Sequence, residues 1–409
     1  MNTALSNVTV LDLSRILAGP WAGQVLADLG ADVIKIEKPA GGDDTRSWGP
    51  PFLQHTDGRD KPLGDAAYYL CANRNKKSVT VDFTTPEGQA IVRSLARDSD
   101  VVLENFKVGG LEAYGLDYES LRAVNPRLIY CSITGFGQTG PYASRAGYDL
   151  LVQAMGGLMS ITGRQDGEAA GGPQKAGVAV TDILTGLYAT IGILAALSHR
   201  ERTGIGQHID IGLLDVQVAC LANQAMNYLV SGQAPRRSGN AHPNLVPYQD
   251  FATSDGHMVI AVGSDAQFAR LCSVFGLAQF AADPRFVSNK QRVVNRRELI
   301  DKLSSVTATR PTAHWVSALE AVGVPAGPIN SLDAVFDDPQ VRARGMRVEL
   351  PHPVAGNVSL VANPLRLSET PVTYRSSPPS LGAQTSEVLT ERLAMSPADI
   401  ERLRAKGII

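Results

Sequence analysis

A chain of 409 residues, 44% of them apolar and 19% charged, can bury cores for two or three domains. A formal charge of −2 supplies no basic field for nucleic acid, although a local cationic pocket for a phosphorylated ligand stays compatible with it. The four cysteines form no CxxC pair and the seven histidines show no ligand spacing, so neither a disulfide framework nor a metal site is indicated.

The opening MNTALSNVTV has neither the cationic start and apolar run of a secretory signal nor the arginines of a transit peptide, and the expectation is a cytoplasmic protein. Residues 8–13 (VTVLDL) read as a strand, SRILAGP as a turn, residues 21–29 as a helix closed by Gly30, and residues 33–37 as a second strand. Such a βαβ unit builds a parallel sheet whose ligands lie at the C-terminal strand ends, near the loop from Arg15 to Pro20. Glu37 stands where a dinucleotide's ribose would meet an acid. Gly19 and Gly23 are nevertheless four apart with Pro20 between them, so the GxGxxG approach to a pyrophosphate is not encoded.

Residues 38–65 form a long loop rich in Gly, Pro and Asp, a candidate rim of a site, with Arg46 and Trp48 as its notable residues. NRNKKSVTVDF then reads as a cationic turn and strand, TTPEGQAIVRSLA as a helix with Pro86 at its start, and DVVLENF as a further strand ending at Asn105, Phe106 and Lys107. A helix over 118–124, a strand over 128–133 and the glycine-rich TGFGQTGPYASRAGYD follow. This alternation predicts an α/β doubly wound sheet. Arg74, Lys76, Lys77 and Lys107 recur at strand ends, where they are either solvated charges or phosphate contacts.

The stretch KAGVAVTDILTGLYATIGILAALSHR predicts a helix buried on most sides, with basic residues only at its C-terminal end. Its apolar run, residues 183–197, is short and interrupted by Thr and Gly, which suits a core helix better than a membrane span. Asp182 is the one charge at its mouth and has two readings. It can be a helix cap contributing about 1 kcal/mol. It can also be a carboxylate held ionised at the positive end of a helix, as a nucleophile requires. Beyond it come a short strand and long helix, a polar hinge over 236–244, a smaller α+β unit over 247–330, a proline-rich extended return over 331–380, and a helix start at Ser396.

The segments VLDLSRILAGPWAGQVLADLGADVIKIEKPAGGDDTRSWGPP, NRNKKSVTVDF, DVVLENF, SITGFGQTGPY, AGYDLLVQAMGGL and VAVTDILTGLYATIGILAAL resemble, in order and spacing, the class III (CaiB/BaiF) CoA-transferases. Asn240-Ala241-His242 and residues 246–249 look closest to the succinyl-CoA-dependent dicarboxylate transferases of the glutarate and hydroxymethylglutarate type. The resemblance implies a Rossmann-like large domain (residues 1–200, completed by 386–409), a linker over 201–245, a small α+β domain over 246–330 and a return linker over 331–385. It further implies a homodimer of interlocked rings. It places the nucleophile on Asp182 and the CoA contacts on Leu17, Ala18, Lys38, Val81, Asp82, Phe83, Thr84, Asn105, Phe106, Lys107, Ala146, Gly147, Tyr148 and Asp149. No cofactor is implied; coenzyme A esters and a small carboxylic acid are the substrates, and neither nucleic acid nor membrane is a partner.

Three departures from family patterns narrow the reading. Family racemases carry His beside the Asp of a GHD motif, where this chain has Gly147-Tyr148-Asp149. Formyl-CoA transferases have Gln and Arg where Leu17 and Ala113 stand, and their poly-glycine loop is reduced here to Ser238-Gly239-Asn240, the candidate lid. The distal carboxylate of a dicarboxylic acid needs a cation, and Arg15, Arg46 and Arg74 are the candidates by loop position. A racemase or isomerase with Asp149 and Asp182 as acid and base, and a non-catalytic acyl-CoA-binding protein, are the alternatives.

Overall fold

The structure, a computed structural model, describes residues 3–54, 62–353 and 355–409. It divides into two compact units, one of Met1–Leu158, Ala176–Ala225 and Pro339–Ile409 and one of Met159–Lys175 and Met226–Asp338. Of the rim loop expected over 38–65, residues 55–61 lie outside the described residues.

The first unit is built on β1 (Thr9–Asp12), β2 (Asp32–Glu37), β3 (Lys76–Thr80), β4 (Val101–Glu104), β5 (Ile129–Thr134) and β6 (His208–Gly212). They pair in the order β3-β2-β1-β4-β5-β6, and every pairing is parallel. This is the doubly wound order in which the chain reverses direction across the sheet between β1 and β4. Alternation along each strand feeds two cores. Val10, Val33, Val101, Leu103 and Cys131 face α1 (Ala18–Asp28) and α5 (Val180–Thr203), while Leu11, Ile34, Val79, Val102 and Tyr130 face α2 (Pro86–Arg97) and α3 (Tyr118–Val124). Between α3 and α5, α4 (Asp149–Met155) follows the glycine-rich turn, and α6 (Leu213–Ala219) leaves β6 directly.

Helix α1 begins at Ala18, earlier than the sequence suggested, because Pro20 falls in the first turn, where an amide hydrogen has no partner within the helix. Helix α5 ends on Gly204, at φ 75°, whose amide returns to the Arg200 carbonyl. It is long and apolar enough to cross a membrane, with a mean hydropathy of 1.7. Thr185, Ala189, Ile193 and Ala196 are buried under the sheet, whereas Leu187, Tyr188, Ile191 and Leu194 are exposed. The expected burial on most sides is therefore corrected: within one chain only one side is covered.

The second unit holds an antiparallel sheet of β7 (Tyr248–Ala252), β8 (His257–Ala261) and β9 (Ala326–Pro328) with β8 central. Helices α7 (Asp265–Val274), α8 (Arg296–Thr307) and α9 (Thr312–Glu320) supply Phe268, Leu271, Leu299, Leu303, Trp315 and Leu319 to its core.

The proline-rich return is structured. β10 (Arg347–His352) and β11 (Gly356–Val361) form an antiparallel hairpin that packs Leu350, Val358 and Leu360 on Tyr69 and Leu70. Helices α10 (Thr385–Leu393) and α11 (Pro397–Ala405) then close the second core with Val388, Leu389, Ile400 and Leu403.

Arginines tie the return to the sheet, and this corrects two substrate candidates. Arg46 donates to both Glu37 oxygens (2.8 and 2.7 Å), to Asp65 (2.7 Å), to the Tyr69 hydroxyl (2.6 Å) and to the Pro379 carbonyl (3.2 Å). Arg74 donates twice to Asp28 (2.9 and 2.6 Å) and once to the Val361 carbonyl (2.7 Å). Asp28 also accepts from Asn75 and Asn363. Both guanidiniums are buried and spent on protein acceptors, so neither is a cation for a substrate carboxylate. Lys76 is likewise buried, bonded to Asp12, Asn73 and the Pro20 carbonyl, and is not a phosphate contact.

Arg74→Ala would leave the Asp28 carboxylate buried without a countercharge. A loss of about 3–5 kcal/mol in urea-unfolding stability is expected; a loss under about 1 kcal/mol, the range of an exposed pair, would contradict this assignment.

Candidate active site

The C-terminal ends of β1, β4 and β5 and the start of α5 surround a cavity of about 170 Å³ in the first unit. Its floor is the turn after β1, where Arg15, Ile16, Leu17 and Ala18 line it. Asn105, Phe106 and Lys107, just past β4, form one wall. Ala146, Gly147 and Tyr148, ahead of α4, form another, and the half-buried Asp182 also lines it. Two glycine contacts allow this convergence. A Cβ on Gly186 would stand 2.6 Å from the Ala18 carbonyl, so α5 can lie against the start of α1 only with glycine there. Gly147 passes so close to Gly135, at the end of β5, that a Cβ on either would overlap the other's backbone.

Asp182 is not the cap of its helix. Ala179 occupies the cap position without a side-chain bond, and Asp182 lies in the first turn. The capping acceptor comes from α4: Asp149 takes hydrogen bonds from the amides of Thr181 (2.8 Å) and Asp182 (3.3 Å). Its other oxygen accepts from Gln153 Nε2 (2.5 Å), and Gln153 in turn accepts from the Ala176 amide (2.9 Å). Thr181 Oγ1 donates to Gln217 (2.6 Å), fixing the same turn from α6.

Freed from capping, the Asp182 carboxyl faces the cavity in an unusual state. Burial, and then the negative charge of Asp149, push it up to about 7. Tyr68 is pushed up to about 12 by burial and then by the charge of Asp182, which puts its phenol within electrostatic reach of that carboxylate. Trp48, flagged in the rim loop, packs edge-on against Tyr68 with ring centroids 5.4 Å apart.

Several expected contacts are brought together and others are not. Arg15 remains available: its guanidinium sits 4.8 Å from the Phe106 ring centre, and among the described residues its ion pair, with Asp44, is long at 3.6 Å and exposed. Lys38 is exposed, paired with Asp44 at 2.9 Å, and does not line the cavity. Val81, Asp82, Phe83 and Thr84 stand behind the wall: Phe83 packs edge-on against Phe106 at 5.7 Å, while Asp82 receives the Thr84 amide and hydroxyl. Asp149 lies behind Asp182 as its support. Ser238, Gly239 and Asn240 belong to the second unit, where the Gly239 amide donates to the Gly163 carbonyl.

Arg145 was not foreseen. It lines the cavity with its guanidinium over Tyr142 (4.6 Å) and Phe136 (5.2 Å). The available signal was its place inside the glycine-rich turn already marked as a strand-end loop. Among the described residues no group of three or more His, Cys, Asp or Glu side chains is arranged to hold a metal ion. The cavity can thus present a poised carboxylate, arginine side chains and the uncapped start of α1 to a bound ligand.

The model of CoA-transferase family III matches residues 5–385. The succinate–glutarate CoA-transferase of Agrobacterium fabrum is 55% identical over 387 residues, 95% of this chain and 95% of that protein. The succinyl-CoA:glutarate CoA-transferase of Mus musculus is 45% identical over 99% of this chain and 90% of its own length. The crystal structure of a CaiB/BaiF family protein from Brucella suis superposes with a TM-score of 0.85 at 50% identity, covering 96% of this chain and all of that one.

Asp149→Asn keeps an acceptor for the two helix amides but removes the like charge beside Asp182. The Asp182 carboxyl should then titrate below the value near 7 expected for the unsubstituted protein. Carbon-13 carboxyl NMR across pH 4–9 measures this, and an unmoved midpoint would remove Asp149 as a cause.

Proposed function

The chain belongs to CoA-transferase family III, and we propose that it moves coenzyme A from succinyl-CoA to a small dicarboxylic acid of the glutarate type, with Asp182 as the nucleophile that carries coenzyme A between them. The observation that carries this reading is a half-buried carboxylate, the one acidic side chain lining the cavity among the described residues, raised in basicity and relieved of any capping duty.

The chemistry runs without a proton transfer. An ionised Asp182 oxygen attacks the thioester carbonyl, the C–S bond breaks, and a succinyl–aspartyl anhydride and CoA thiolate result. The thiolate attacks the aspartyl carbonyl, releasing succinate and leaving an aspartyl–CoA thioester. The acceptor carboxylate attacks that carbonyl and expels the thiolate, giving a second anhydride. The thiolate then attacks the new acyl carbonyl, forming the product thioester and restoring the Asp182 carboxylate. A basicity near 7 makes the carboxylate a stronger nucleophile than an ordinary aspartate while keeping it mostly ionised above neutrality. The start of α1, uncapped by any side chain, supplies donors for the oxyanion that each attack creates.

Arg15 is the candidate of the original three that fits the distal carboxylate, with Arg145 as a second guanidinium on the same cavity. The racemase alternative needs Asp149 as a free base, and its carboxylate is occupied by Thr181, Asp182 and Gln153. A homodimer supplies the cover that the exposed stripe of Leu187, Tyr188, Ile191 and Leu194 lacks in one chain, since a helix apolar all round is a buried helix. The interlocked-ring arrangement is the form of dimer we propose.

Mixing the protein with succinyl-CoA and a panel of dicarboxylic acids, with CoA species followed by mass spectrometry, should yield a new acyl-CoA only when an acid is present. Solvent deuterium entering the α-carbon of succinyl-CoA without any acceptor would instead favour the racemase. Asp182→Asn should abolish transfer without lowering the melting temperature at pH 8, because an amide cannot act as the nucleophile and no cap is lost. As pH falls below the Asp182 midpoint of about 7 the nucleophile is protonated, so kcat/KM for succinyl-CoA should drop about tenfold per unit in the acid limb.

A further inference from the structure

The cavity floor contains an unfavourable backbone. Ile16 adopts φ 72°, in the left-handed region, where a β-branched side chain crowds its own backbone. Nothing local favours that conformation, so the surroundings must impose it.

Five successive backbone groups of the turn are each bonded to a side chain. The Ser14 amide donates to Asp12 (2.9 Å), and the Ser14 carbonyl accepts from Lys35 Nζ (2.7 Å). The Arg15 amide donates to Asn105 Oδ1 (2.8 Å), and the Arg15 carbonyl accepts from Asn105 Nδ2 (2.7 Å). The Ile16 amide donates to both oxygens of Asp43 (3.3 Å). These partners are themselves fixed. Asp43 is fully shielded against Lys35 at 3.0 Å, accepts from the Thr45 amide and hydroxyl, and donates its own amide to Glu37. Asn105 sits between Glu104 and Phe106, and the Glu104 carboxyl accepts the Phe106 amide at 2.8 Å.

We propose that Asp43 and Asn105 are positioning residues for CoA transfer: they hold the left-handed Ile16 turn so that the Arg15 guanidinium and the first amides of α1 face the Asp182 cavity. This rests on the reading of Asp182 as the nucleophile that carries coenzyme A. The clamp joins three strand ends through one strained residue, so it sets the geometry of the anion donors before any ligand arrives, and the loss of either member costs turnover more than binding.

The test pairs each clamp variant with a glycine that takes the strained conformation freely. Asn105→Ser removes both bonds to Arg15 and leaves the Lys35–Asp43 pair intact, so it stands even if Asp43→Asn fails to fold. The expected result is a fall of about tenfold or more in kcat, with KM for succinyl-CoA changed less than about threefold. Adding Ile16→Gly should then recover about fivefold of that loss. A loss that glycine does not recover, or an unchanged kcat, overturns the proposal. Hydrogen exchange at the Arg15 and Ile16 amides reads the clamp separately: it should quicken in Asn105→Ser, and unchanged protection overturns the proposal. Failure of the unsubstituted protein to make any new acyl-CoA would strike the functional reading alone, with the exchange result still deciding the clamp.

Discussion

The six-stranded sheet is parallel and covered on both faces, so the charged side chains its strands bury must find partners inside the protein. Around β1, β2 and the start of β3 lies a buried layer of opposite charges: Asp12 with Lys76, Asp43 with Lys35, Glu37 with Arg46. Asp12, Asp43, Glu37, Lys35 and Arg46 are held in their charged forms by their neighbours rather than by water, whereas burial lowers Lys76 to about 8. Asp43 is lowered to about 2, since Lys35 and the Thr45 bonds outweigh the burial that would raise it. Asp12 and Glu37 are lowered for the same kind of reason. That layer supports the turn carrying Arg15 to Ala18, and the cavity is built on the turn.

Asp182 is the counterexample to that layer. It is half-buried and receives a negative neighbour in place of a positive one, and its basicity moves in the opposite direction. Asp149 therefore does two jobs with one carboxylate. It satisfies the first amides of α5, which would otherwise be orphaned, and its charge adds to the rise in basicity of the neighbouring Asp182. The close passage of Gly147 against Gly135 holds the loop that delivers Asp149 to this position.

Much of this was legible in the residues alone. The alternation of strands and helices predicts the doubly wound sheet, and Asp182 stands out as the one charge at the mouth of an apolar helix. The failures are instructive. Arg46 and Arg74 sit on loops at strand ends, as substrate cations do, and only the fold brings Glu37, Asp28 and the distant 361–379 segment to consume them. The prolines over 331–380 suggested an extended return, yet Pro351 lies within a strand of a two-stranded hairpin, where a missing amide hydrogen is tolerated at an edge. The cap of α5 could not be read because its acceptor is thirty-odd residues away on another helix, and Arg145 carried no signal beyond its loop.

The two C-terminal helices have a consequence for how the chain matures. The second core begins with strand residues near the start of the chain, Leu11 and Ile34, and is sealed by Val388, Leu389, Ile400 and Leu403. A ribosome must therefore synthesise the whole intervening second unit before that core can close. During translation the uncovered sheet face is apolar surface waiting for its lid, the kind of nascent intermediate that chaperones bind, so the order of synthesis makes the larger unit the last to finish folding.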